Sequence, residues 1–110
     1  MPAYAIANLS NVDFNADIVR YLETIDDTLV PFGGRFIVHG VTPEVLEGEW
    51  ADNTVVVAFP DVEHARAWYR SPAYQEILPL RTDNSDGATI IVDGVGDGYR
   101  AASFLTKAAH

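Results

Sequence analysis

The sequence predicts an α+β domain built in the order strand, helix, strand, strand, helix, strand. Four short stretches, at residues 3–9, 35–40, 54–59 and 88–93, alternate or are β-branched as strands require. Between them, two longer stretches repeat apolar residues at helical spacing. Proline, glycine and capping residues punctuate most of the junctions.

In the first strand, Tyr4, Ile6 and Asn8 share one side, and Ala5, Ala7 and Leu9 the other. A helix follows, with Ile18, Leu22, Ile25 and Leu29 on its inner stripe, Asn15 as N-cap and Phe14 stapled onto Val19. Pro31 and the pair Gly33-Gly34 stop it. The second strand sets Arg35, Ile37 and His39 on one face and Phe36 and Val38 on the other. Residues 41–53 hold Pro43, Gly48 and three glutamates, which reads as a loop with a short helical turn at 43–46. Residues 54–59 are apolar on both faces, the mark of a central strand.

Asp61 caps the second helix, whose stripe is Val62, Ala65, Trp68 and Tyr69. Ser71-Pro72 starts a further short helix with Tyr74, Ile77 and Leu78 inward. Residues 81–87 read as a polar loop and 88–93 as the last strand. A glycine-spaced tail then leads to a short helix at 101–108. The expected organisation is one domain over residues 1–94 and a C-terminal extension over 95–110.

This order is the split βαβ, or ferredoxin-like, βαββαβ pattern: a four-stranded antiparallel sheet with its helices on one face. The third and fourth strands are apolar on both sides, yet the helices can cover only one. The other face would be a larger apolar patch than a monomer ordinarily exposes, so a second copy related by a two-fold axis is the expected cover.

The formal charge of −9, from 16 acidic and 7 basic residues, argues against nucleic acid and anionic membranes as partners. No apolar run approaches the ~20 residues of a membrane span. The first residues do not form a signal peptide, and the cytoplasm is the expected location. With no cysteine, thiolate metal sites and thiol nucleophiles are excluded. His39, His64 and His110 do not fall at metal-ligand spacing. Gly94-Val95-Gly96-Asp97-Gly98 is followed by Tyr99, where a dinucleotide loop needs a third glycine. Neither a metal nor an organic cofactor is therefore expected.

Six of the seven cations are arginine, which grips carboxylates through a planar fork and favours fixed ion pairs or an anionic ligand. The candidate proton-transfer residues are His39, Glu47 and Arg81. Histidine is the side chain that ordinarily titrates near neutrality, and His39 lies among apolar neighbours. The same imidazole serves equally well as a hydrogen-bonded structural group. Glu47 can assist or pair with an arginine, and Arg81 or Arg35 can orient an anion. Asn8, Arg35, Trp50, Tyr69 and Tyr74 are the candidate substrate-binding residues.

Four segments, Gly33-Gly34-Arg35, Leu46-Glu47-Gly48, Phe59-Pro60 and 67–75 (AWYRSPAYQ), together with Arg81 and Asp93-Gly94, resemble a family of small bacterial proteins. That family is known as a domain of unknown function within the dimeric α/β-barrel superfamily. The resemblance spans about residues 4–94. It implies two sheets closing into one barrel at a dimer interface, with a pocket in each subunit. The superfamily includes cofactor-independent monooxygenases, haem-degrading enzymes, lactone isomerases and binding proteins, which are fold analogies only. Family members tend to carry arginine where His39 stands, arginine near Asn53 and glutamate in place of Ala58. The ligand of this chain is therefore expected to differ from theirs.

Three functions stay open at this point. One is a metal-free acid–base enzyme of isomerase, cyclase or lyase type acting on a small organic substrate. The second is a non-catalytic ligand-binding or accessory module. The third is a cofactor-independent monooxygenase.

Overall fold

The structure is a computed structural model and describes residues 1–108; His110 and the end of the expected extension lie outside them. The chain runs β1 (Ala3–Ser10), α1 (Ala16–Leu29), β2 (Arg35–Val38), β3 (Asn53–Phe59), α2 (Val62–Arg70), α3 (Pro72–Thr82), β4 (Asp86–Asp93) and α4 (Ser103–Ala108). The four strands form one antiparallel sheet in the order β2-β3-β1-β4, the ferredoxin-like arrangement.

Local chemistry accounts for the helix ends. Asn15 accepts from the backbone N–H groups of Asp17 and Ile18, and Asp61 from that of His64. Ser71 closes α2 and caps α3, with Pro72 at the first helical position. After α1 a 3₁₀ turn (Val30–Phe32) ends on Gly33 in the left-handed region. Phe14 and Val19 are both exposed, so no buried staple forms.

Pairing of Ala5 with Val57 and Ile91 defines the helix-facing rows of the sheet. Against them pack Tyr21, Ile25 and Leu29 of α1, Trp68 of α2, and Tyr74 and Ile77 of α3. Trp68 lies at the centre of an aromatic cluster, its ring 4.0 Å from that of Tyr74 and 5.4 Å from that of Phe59. Its indole N–H donates to Thr28 Oγ1, whose hydroxyl donates in turn to the carbonyl of Ile25. The buried polar atoms of that contact are thus satisfied.

The helices α1, α2 and α3 leave the opposite face of the sheet uncovered. Ile90 and Val92 are exposed there, beside the rows of Tyr4, Ile6 and Val56. Gly87 makes the close approach of β1 and β4 work: its φ is +139°, and a Cβ there would sit 2.1 Å from the carbonyl oxygen of Asn8.

Four further expectations are corrected. The strand after Gly34 ends at Val38 rather than at residue 40, and residues 43–46 form no helical turn. The helix begun at Pro72 does not stop before Arg81 but continues to Thr82, so Arg81 stands in its last turn. The last strand starts at Asp86, two residues early.

Candidate functional site

A cavity of about 250 Å³ lies between the sheet and the helices. It exists because β1 presents alanines to the helices: Ala5 and Ala7 form part of the floor, next to Val55 and Val57 of β3. The α1 side chains Ile18, Leu22 and Ile25 form the facing wall. A β-branched residue at either alanine would fill much of that space. The volume is near the lower end of small-molecule cavities, ~300 Å³ upward.

Few polar groups enter this apolar space. The hydroxyls of Tyr21 and Tyr74 are 2.8 Å apart and buried, and both rings line the cavity. Burial raises the Tyr21 phenol far above the ordinary tyrosine range, and the adjoining Tyr74 raises it further, so Tyr21 stays protonated. Arg81 lines the same region with its Cζ 6.0 Å from the centre of the Tyr21 ring. Tyr74 and Arg81, seven residues apart on α3, share one helical face. Asn84 holds this end of α3 to the start of α1, accepting from Asn15 Nδ2 at 2.7 Å and donating to the carbonyl of Leu80 at 2.8 Å.

His39 also lines the cavity, although alternation along β2 predicts that it shares a face with Arg35. The reason is a β-bulge. Arg35 pairs with Ala58 and Phe36 with Val57, but Val38 pairs with Val56, so one extra residue is inserted between them. That residue reverses the alternation. Arg35 stays on the uncovered face, whereas His39 turns to the helix side, its ring 4.9 Å from that of Phe36. The imidazole belongs to an exposed residue, beside Gly40 and Val41.

Of the residues singled out from the sequence, the structure therefore brings together His39, Tyr74 and Arg81. It does not bring the others to them. Asn8 is on the uncovered face, paired with Thr54 and Ala88, with its Oδ1 buried and without a hydrogen-bond partner among the described residues. Glu47 is exposed in the 39–52 loop and does not line the cavity. Trp50 is exposed and donates from its indole nitrogen to Thr54 Oγ1 at 2.7 Å. Tyr69 packs behind the site against Tyr74, with ring centres 5.6 Å apart.

Tyr21 is the residue that the sequence reading missed. Its signal was present, since it falls three residues after Ile18 and four before Ile25, on the buried stripe of α1. Among the described residues, no group of three His, Asp or Glu side chains is placed to hold a metal ion. No helix among them is long and apolar enough to cross a membrane.

The family model described as "Domain of unknown function (DUF1330)" matches residues 2–95. The chain belongs to the DUF1330 family. Residues 96–110, including α4, extend past the part that the DUF1330 model covers. No curated protein matches the chain.

Solved structures share the fold of this DUF1330 protein. The RPA0582 protein of Rhodopseudomonas palustris, of unknown function, is 17% identical with a TM-score of 0.64, over 86% of this chain and 83% of that one. A dimeric ferredoxin-like protein of unknown function from Jannaschia sp. is 18% identical with a TM-score of 0.57, over 87% and 100%. SnoaB of Streptomyces nogalater, a cofactor-independent oxygenase, is 9% identical with a TM-score of 0.54, over 90% and 96%. At these identities the likeness establishes the fold and not the chemistry.

Proposed function

We propose that this DUF1330 protein binds a small organic molecule in the cavity between sheet and helices and acts on it by metal-free acid–base chemistry. The observation that carries this reading is the convergence of His39, Arg81 and the Tyr21–Tyr74 pair on a largely apolar cavity. A dry enclosure strengthens each polar contact made inside it. In this reading His39 moves the proton at the exposed rim and Arg81 with the tyrosines fixes the substrate. Asn8, Arg35, Glu47, Trp50 and Tyr69 take no part at the reacting atoms, because none of them lines the cavity.

We also propose that two copies pair through the uncovered sheet face, giving the barrel that the family resemblance implies. The exposed Ile90 and Val92 support this pairing, and the Jannaschia neighbour is described as dimeric.

The test begins with a panel of small aryl and branched-alkyl acids and enolisable ketones, each scored for binding by thermal shift and for turnover. Ala7→Leu, which fills the floor, is expected to abolish binding while the protein stays folded. His39→Ala is expected to keep binding and to lower turnover by ~10²–10⁴-fold. Undiminished turnover in His39→Ala would remove the acid–base role, and binding without product in the parent would make the protein a binding module. The likeness to SnoaB favours one second reading, a cofactor-independent oxygenase whose main contribution is the apolar enclosure. Consumption of oxygen on adding a phenol or quinol substrate separates it from the first.

A further inference from the structure

The inner polar cluster carries an inference about what the cavity holds, and it rests on the small-molecule reading above. The described ion pairs of this strongly acidic chain are His64–Asp61 and Arg66–Glu63, both on the surface at α2. Arg81 is half-buried over the Tyr21 ring and has no carboxylate partner among the described residues. A guanidinium withdrawn from water without a counter-charge is costly, and the cost falls when an anion binds to it.

The two tyrosines supply the neutral donor that such an anion needs. In the Tyr21–Tyr74 contact one hydroxyl donates and the other accepts, so the accepting oxygen keeps a proton that is not used within the pair. We propose that Arg81 and this uncommitted hydroxyl form a receiving site for a single carboxylate, whose apolar body, a single ring or a branched chain, lies along Ala5, Ala7, Ile25 and Val57. One cation matches one negative charge, and the planar fork of arginine matches a planar carboxylate. The 250 Å³ volume restricts the body to about one ring.

The probes are benzoate and its uncharged counterpart benzyl alcohol, followed through the methyl resonances of Ala5, Ala7 and Val57, with inorganic phosphate as a third arm. Benzoate is expected to shift these methyls at concentrations at least about tenfold below those benzyl alcohol requires. Arg81→Gln should weaken benzoate far more than benzyl alcohol and so remove that advantage, while Arg81→Lys restores part of it. Tyr21→Phe should weaken benzoate by several-fold and benzyl alcohol by less. If the two probes bind alike, or if Arg81→Gln weakens both equally, the carboxylate site is overturned and the cavity reading survives. Phosphate binding more tightly than benzoate overturns the planar monoanion. If no probe moves the methyls, both readings fall together.

Discussion

Tyr21 and Tyr74 should be energetically coupled in a way that reveals why a buried hydroxyl pair exists in this core. Tyr21 is 8% exposed and Tyr74 2%, with 2.8 Å between their oxygens. Replacing either by phenylalanine removes one partner and leaves a buried hydroxyl to lose its bond, which costs about 1–3 kcal/mol. Replacing both leaves no orphaned hydroxyl, so the double variant should lose no more than the worse single one. The sum of the single losses should then exceed the double loss by about 1–2 kcal/mol. Urea unfolding at fixed protein concentration reads this directly, since a slope of about 1–3 kcal/mol/M converts each single loss into a midpoint shift of order 1 M. Additive losses, or a Tyr21→Phe variant as stable as the parent, would show that the hydroxyls do not depend on one another. The uncommitted proton inferred from their pairing would then have no basis.

Other perturbations have equally definite outcomes. Gly87→Ala combines a left-handed φ of +139° with a clash against the backbone of β1, and should cost about 2–5 kcal/mol in urea unfolding. Thr28→Val strands the Trp68 indole N–H in the core and should cost about 1–3 kcal/mol, with a change in tryptophan fluorescence. The His64 backbone amide, then the His64 ring, hold the Asp61 carboxyl below its ordinary range. A depressed folded pKa stabilises above the unfolded value near ~4 and is lost as pH falls through the folded one, so Asp61→Asn should flatten stability against pH in that acid range. Ile90→Asp on the uncovered sheet face should leave circular dichroism unchanged and move the protein to a smaller species by size exclusion. An unaltered elution position would rule that face out as the contact between copies.

The elements legible in advance were those whose signals are local. The caps at Asn15, Asp61 and Ser71 depend on residues within one turn, and the two-sided apolarity of β3 reports its central place in the sheet. Arg81 was misread as loop because Pro79 and the polar run from Arg81 onward signal a helix end, whereas α3 tolerates the one main-chain hydrogen bond that Pro79 removes and continues to Thr82. The face of His39 was illegible for a different reason. Alternation assumes unbroken pairing, and the insertion between Phe36 and Val38 is set by how β2 fits β3, not by any residue of β2 alone. The lining of the candidate cavity was thus legible in part: His39, Tyr74 and Arg81 could be named, but Tyr21 was hidden among ordinary stripe residues. Asn8, Glu47 and Trp50 were grouped by proximity in sequence or by residue type, and neither measures distance across a folded sheet.

The inserted residue in β2 also changes how relatives should be compared. Two chains aligned column by column through this strand carry equivalent side chains at position 39 only if both contain the same offset. An arginine aligned with His39 in a chain without it would point to the uncovered side of the sheet instead of the cavity side. Substitutions in that column therefore have two physical meanings, and strand pairing must be known before either is assigned.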